Sequence, residues 1–276
     1  MSWTSRIASR MPAFQASSQG EEDPSFPRRT NDPVLVEESG YRVELLRSEA
    51  EKAQAFRLRH LLFAETLRWV PEHPSGLEID GYDEFTEMIA LLDPARRVLG
   101  HVRVHEATVS YMIEREFAHL LGSGLLPFKG RDTAELTRFG VHPEARSLVL
   151  RTGQGTLDAI TLMIKGLYRW SAERGVRTLF AVTDDRVLRI LRIRGLPFEP
   201  MAEPKLMPDG VTAQAVRMDW AQFEAQARKK KPGFLAWFEA DSSAVSKPLR
   251  IPAGLVLRPR LQPEDGSRHQ VSSGCS

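Results

Sequence analysis

The chain has 276 residues and a formal net charge of +2, from 38 Lys+Arg against 36 Asp+Glu, which excludes the strong positive excess of a nucleic-acid-binding domain. Its single cysteine, Cys275, excludes a disulfide framework or a thiolate metal site and points to a reducing cytoplasm. No run approaches the roughly 20 apolar residues of a membrane span, and Arg6 and Arg10 are not followed by the apolar stretch of a secretory signal.

Residues 1–40 are rich in Ser, Pro, Gly and charge and read as a disordered extension. Residues 241–276 read as a mostly disordered tail, with an apolar patch at 251–257. Between them, 41–240 form one domain without internal repeats. Its first strand is the alternating run 41–46. Ser48 then caps a helix, with Glu51 completing a capping box, and the helix runs to about residue 67. Pro71, Pro74 and Gly76 make 68–83 a loop. Residues 86–92 and 98–106 read as a hairpin, 112–121 as a short helix and 136–142 as a strand stopped by Pro143. A long amphipathic helix is expected over 154–174, ending at Gly175, then a buried strand at 177–183 and a helix at 185–194 ending at Gly195. A last strand at 211–218 leads into helical pieces up to 240. This alternation implies an α/β fold: a mixed central sheet with helices packed on it.

In the first helix Phe56, Arg59, Phe63 and Thr66 share one face. A guanidinium on an apolar face needs carboxylate partners; Asp80 and Asp83, in Glu78-Ile79-Asp80-Gly81-Tyr82-Asp83, are the nearest in sequence. A snorkelling arginine at the core edge is the alternative. Trp69 offers an indole face to a cation or anchors its loop to the core. On the strand 98–106, His101, Arg103 and His105 share a face. Histidines four apart on a strand stand about 13 Å apart at ~3.3 Å per residue, too far to chelate one ion, so no metal is expected. Arg103 either binds a ligand carboxylate or pairs with a structural acid.

Glu135 lies in a strand, where burial would raise its pKa toward that of a useful base; a structural Glu–Arg pair is the alternative. Arg138 is three residues on, so it reaches the same face only across a bulge. Arg151-Thr152-Gly153-Gln154-Gly155 is expected to open the long helix and hold phosphate oxygens on free N–H groups. Arg186, Arg189 and Arg192 recur every three residues, with Arg194, Lys165, Arg169, Arg174 and Arg177 adding charge nearby. They read as a solvated basic face or as a docking surface for an acidic carrier protein.

In this order the pieces resemble the acyl-homoserine lactone synthases, the autoinducer synthases of quorum sensing. The residues that carry the resemblance are Arg59, Phe63 and Trp69, then Asp80 and Asp83, Arg103, Phe117 in 111–121, Glu135, Arg138 and Phe139, and the segment 178–196. It covers about residues 41–219. Ala134 departs from it, standing where many members have tryptophan, and both tails are longer than usual.

The resemblance implies a GCN5-related N-acetyltransferase-like sheet flanked by helices and splayed at its fourth and fifth strands, with a bulge in the fourth. It implies S-adenosylmethionine as a substrate rather than a cofactor, and an acyl thioester of carrier protein or coenzyme A as donor. Glu135, Arg138, Arg59, Asp80 and Asp83 become the expected catalytic set, with Arg138 ordering Glu135. Arg59, Phe63, Trp69, Asp80, Asp83 and Arg103 would hold S-adenosylmethionine. Phe117, Thr137, Phe139, Arg151, Gly153, Gly155 and Thr183 would line the acyl and pantetheine path, and Arg186, Arg189 and Arg192 would dock a carrier protein. An N-acyl amino acid synthase of related fold and a non-catalytic carrier-binding domain are the alternatives.

Overall fold

Among the described residues nine strands hydrogen-bond into one sheet, and the order of those strands decides where the site lies. The computed structural model describes residues 33–122, 129–152, 155–207 and 210–240. The expected C-terminal tail and residues 1–32 lie outside the described residues. In chain order come β1 (Val34–Glu38), β2 (Tyr41–Leu45), α1 (Glu49–Arg59), β3 (Glu87–Leu92), β4 (Val98–Glu106), α2 (Met112–Arg115) and β5 (Thr133–Val141). Then follow β6 (Val149–Thr152), β7 (Gly155–Asp158), α3 (Ala159–Glu173), β8 (Thr178–Asp184), α4 (Asp185–Ile193), β9 (Glu199–Pro200) and β10 (Lys205–Leu206). The last elements are β11 (Thr212–Asp219), α5 (Trp220–Lys230) and α6 (Pro232–Glu239). The main sheet runs β1-β2-β3-β4-β5-β8-β11-β10, with β9 also on β11. Its pairs are antiparallel except β5 with β8.

Four expectations are corrected here. Residues 34–38 are not part of a disordered extension: they form β1, with Leu35 and Val36 buried. Ser39 and Gly40, both at positive φ (53° and 82°), make the tight turn into β2. The first helix is α-helical only to Arg59; His60–Thr66 continues as a π-helix. Its five-residue bonds, such as Leu67 N to Leu62 O at 2.9 Å, lengthen the turn and leave Thr66 exposed, off the predicted stripe. Val149–Thr152 and Gly155–Asp158 pair as antiparallel β6 and β7, and α3 begins at Ala159, where Asp158 accepts from the Thr161 N–H. Finally, Lys165 and Arg174 are not on a solvated face: Lys165 is buried over the Trp237 ring, and Arg174 pairs with Glu87 and Glu106.

Both faces of the sheet are covered. α3 packs on one, with Leu162, Met163 and Trp170 against Val43, Leu91 and Val102. A Cβ on Gly166 would run into Val43, so glycine lets this helix sit close to β2. α1 and the π segment cover the other face, with Leu58, Leu62 and Phe63 against Met88, Ala90 and Leu92. A third cluster joins Tyr111, Ile113 and Leu120 to Phe180, Ala213 and Ala215 at the far side of the sheet.

Candidate active site

The bulge predicted between Glu135 and Arg138 is present. Along β4 and β5, Arg103 pairs with Thr137 but His101 pairs with Gly140, so β5 carries one extra residue. Arg138 takes up the excess at φ 55°, a left-handed conformation that a non-glycine L-residue adopts only at a cost. Before the bulge Ala134 and Leu136 face the α3 core; after it Phe139 and Val141 do. The change of phase puts Arg138 on the same side as Glu135 and Thr137.

β5 and β8 pair only from Thr133–Thr178 to Leu136–Ala181, after which β5 runs on to Val141 and β8 to Asp184 without pairing. This is the expected splay of the fourth and fifth predicted strands. Phe117 and Val182 pack beside it, against the cluster of Tyr111 and Phe180. Thr183 is half-buried opposite Gln214 of β11. Phe139 packs on the α3-side core, and Ala134, fully buried there, points away from the Glu135 face.

The expected arginine–aspartate partners meet, and Glu78 joins them. Glu78 N–H donates to Phe56 O at 3.1 Å, docking the loop on α1. Asp80 N donates to Asp83 Oδ2 at 2.8 Å and Tyr82 N to Asp80 Oδ1 at 2.9 Å, so the loop fixes its own carboxylates. Arg59, completely buried, donates Nε to Glu78 and Nη1 to Asp83 Oδ1 at 2.6 Å, while its Nη2 lies 3.8 Å from Asp80 without a hydrogen bond. Arg103, also buried, donates Nη1 to Asp80 and, at 2.9 Å, to Asp83, and Nε to Thr137 Oγ1 at 2.9 Å. Arg138 donates Nη2 to Glu78 at 2.8 Å and to Asp80 at 3.2 Å. Three guanidiniums thus interlock with three carboxylates, which offsets the desolvation of each.

The electrostatics follow. Burial pushes the Asp80 carboxyl up, but Arg103, then Arg138 and Arg59, outweigh it and hold the group at about 2. Glu78 is likewise lowered, its burial outweighed by Arg138 and Arg59. Burial and Arg59 drive His101 down to about 3, and burial and Arg103 do the same to His105, so both rings are neutral. Phe63 and Trp69 wall one side, with ring centroids 6.1 Å apart, and the Arg138 guanidinium lies 5.5 Å from the Phe63 centroid.

Glu135 does not pair with Arg138, which corrects the expected ordering role. Its carboxylate instead accepts from Met112 N at 2.6 Å and Ile113 N at 2.8 Å, the first amides of α2. Only 1% of Glu135 is exposed. Burial raises its pKa and the two amides lower it; burial prevails and the group stands at about 7. Thr137 faces Arg103 and His105 rather than an open acyl path.

The RTGQG segment does not open a helix. Arg151 and Gly155 belong to the β6–β7 hairpin, where Arg151 is opposite Thr156 and Thr152 opposite Gly155, so no free helix N-terminus is available there for phosphate. Gly153 lies outside the described residues. Arg186, Arg189 and Arg192 are exposed on α4, some distance along the chain from the charge cluster. No group of three or more His, Cys, Asp or Glu with metal-binding geometry occurs among the described residues.

Residues 44–227, more than half of the chain, match the family model described as autoinducer synthase. The chain belongs to the autoinducer synthase family. It is thereby an enzyme, an acyltransferase of the acyl-homoserine-lactone synthase class. This autoinducer synthase is 32% identical over 196 residues to the acyl-homoserine-lactone synthase of Agrobacterium fabrum strain C58, covering 70% of this chain and 89% of the relative. In fold it is similar to BjaI, a CoA-dependent acyl-homoserine lactone synthase solved with MTA (TM-score 0.58, 21% identity, 72% of this chain and 99% of that one). The same enzyme solved with SAM and isopentyl-CoA gives a TM-score of 0.55 at 22% identity, covering 69% of this chain and 92% of that one.

Two site residues of this autoinducer synthase escape a reading by sequence motif. Glu78 precedes Asp80 by two in an extended segment, which puts both on one side; that spacing is the signal. Tyr82 donates its OH to Glu116 at 3.2 Å and lays its ring 5.7 Å from the Arg103 guanidinium. Nothing local marks that contact, because Glu116 comes from a different element. Among the described residues no helix is long and apolar enough to cross a membrane.

Proposed function

We propose that this enzyme joins the α-amino nitrogen of S-adenosylmethionine to the acyl carbon of a thioester, then closes an N-acyl-homoserine lactone with release of methylthioadenosine. The observation that carries the residue assignment is the buried cluster of Arg59, Arg103 and Arg138 with Glu78, Asp80 and Asp83, walled by Phe63 and Trp69. Such a cluster suits a zwitterion bearing a second positive charge. Asp80 and Asp83 supply anions for the ammonium group, and the unbonded Nη2 of Arg59 supplies a donor for the carboxylate. The rings of Phe63 and Trp69 suit a sulfonium.

Glu135 acts as the base that takes the amine proton, directly or through water, and a pKa near 7 fits that task. Its two amide contacts leave lone pairs free. Backbone N–H groups along the parted ends of β5 and β8 face the thioester carbonyl and stabilise its oxyanion. The thiol leaves with a proton. In the second step the substrate carboxylate forms a C–O bond at the γ-carbon while the C–S bond breaks to methylthioadenosine. Here the enzyme chiefly folds the chain into reactive geometry.

Carrier protein and coenzyme A present the same pantetheine arm. The exposed arginines of α4 favour an acidic carrier protein docking beside β8. S-adenosylmethionine is consumed as substrate, with no further cofactor, in a cytoplasmic setting that a chain with one cysteine suits. Incubating the protein with S-adenosylmethionine and acyl thioesters should release methylthioadenosine and a lactone in equal amounts, read by mass spectrometry. Acyl transfer without methylthioadenosine would assign it instead to N-acyl amino acid synthesis.

A further inference from the structure

His105 lies between the charge cluster and Glu135. It is completely buried on β4, its Nε2 is 3.0 Å from Thr137 Oγ1, and its Nδ1 has no hydrogen-bond partner yet stands 3.8 Å from Glu135 Oε2. Thr137 favours one tautomer. Its oxygen accepts from Arg103 Nε at 2.9 Å, and an arginine only donates. The Thr137 proton is left to find an acceptor, and His105 Nε2, 3.0 Å away, serves as one when it is bare. A neutral ring with a bare Nε2 carries its proton on Nδ1, the atom beside Glu135.

We propose that His105 is a positioning residue for Glu135, its Nδ1–H donating to Oε2 and favouring the carboxylate over the acid. Closing the 3.8 Å gap would add a third donor to the Met112 and Ile113 amides and extend the Arg103–Thr137–His105 hydrogen bonds to Glu135. The other groups that bear on this pair are Asp80 and Tyr82 of the loop, Arg59 of α1, Arg138 of β5 and Glu114 of α2. His105 itself is held neutral by burial and by Arg103, so over the working pH range it donates without titrating. The catalytic meaning rests on Glu135 being the base; the hydrogen bond does not.

Two measurements on the intact enzyme test this. Nitrogen-15 NMR of histidine-labelled protein should find His105 protonated at Nδ1 and bare at Nε2; the opposite tautomer would overturn the proposal without any variant. Carbon-13 NMR of glutamate carboxyls, assigned with Glu135→Gln, gives the Glu135 midpoint directly. His105→Leu should raise that midpoint by about one unit, a roughly tenfold loss of carboxylate below it. His105→Asn, whose amide N–H overlays Nδ1, should restore it. The acid limb of methylthioadenosine release against pH should move with the midpoint. An unmoved midpoint in His105→Leu sinks the proposal. Wild-type turnover in Glu135→Gln would remove the base assignment alone, leaving the two NMR readouts to decide the role of His105.

Discussion

Arg138 and Glu78, 60 positions apart, form a two-bond ion pair in which Nη2 and Nε lie 2.8 and 3.1 Å from the same carboxylate oxygen. The other oxygen of Glu78 accepts from Arg59. One carboxylate therefore ties the β5 bulge to α1 and holds two guanidiniums apart. Asp80 then bridges Arg103 and Arg138, and Asp83 bridges Arg59 and Arg103.

Removing Glu78 should be more damaging than its absence from the expected catalytic set suggests. Glu78→Ala leaves two buried guanidiniums with one carboxylate fewer, a change that typically costs about 3–5 kcal/mol. Urea unfolding should show a midpoint lowered accordingly with an unchanged slope. A loss under 1 kcal/mol would mean that water or a mobile side chain replaces Glu78.

Arg138→Lys keeps the charge but not the fork that spans Glu78 and Asp80. Losing a charge-assisted hydrogen bond costs about 1.5–3 kcal/mol, so kcat/KM for S-adenosylmethionine should fall by roughly 10- to 100-fold. The KM for the acyl thioester should hold. Equal losses for both substrates would move Arg138 from the amino-acid side of the site to the whole cleft.

The core of the cluster was legible because Arg59 sits on an otherwise apolar helix face, and a buried guanidinium demands acids, of which Asp80 and Asp83 are the nearest in sequence. The bulge was legible as a condition, since Glu135 and Arg138 need an extra residue to share a side. The π segment was not: α and π turns have the same apolar residues, and only five-residue backbone bonds, such as Leu67 N–H to Leu62 O, distinguish them. The glycines of 151–155 suggested a helix start, but Leu150 opposite Leu157 gives a hairpin its own packing, and Asp158 is the better cap. The partner of Glu135 was out of reach because it is backbone, the amides of Met112 and Ile113, which carry no sequence mark.

Trp69→Ala should weaken S-adenosylmethionine use and spare the acyl donor. Its ring, half-buried beside Phe63, is worth about 0.5–2 kcal/mol to a sulfonium. The KM for S-adenosylmethionine should rise by roughly 2- to 30-fold with the thioester KM unchanged. A matching rise for the thioester would make Trp69 an anchor of the loop alone.

The pH dependence separates Glu135 from Asp80. As a base Glu135 must be ionised, so kcat/KM should climb as pH rises through about 7. In stability the sign is reversed. A carboxyl raised from 4.5 to about 7 binds more protons folded than unfolded, so its contribution is full below 4.5 and lost as pH rises to about 7. Asp80, depressed from 3.8 to about 2, contributes above 3.8 and loses that contribution as pH falls toward 2. Unfolding free energy measured against pH should therefore peak near pH 4–5 and drop on both sides. A monotonic rise from pH 4 to 8 would show that Glu135 is ionised in the fold at ordinary pH.

The exposed face of α4 makes the donor question testable. Arg186, Arg189 and Arg192 lie beside Val187, Ile190 and Ile193, which are 37, 42 and 73% exposed, while Leu188 turns inward to the core. Arginines interleaved with bare apolar side chains suit an acidic, amphipathic surface. Arg189→Glu should raise the KM for acyl-carrier-protein about tenfold, by more at low ionic strength, because such steering is screened by salt. The KM for the matching acyl-CoA should change less than about twofold, since the proposed pantetheine path between β5 and β8 would be untouched. Equal effects on both donors would place the coenzyme, rather than a protein, on α4.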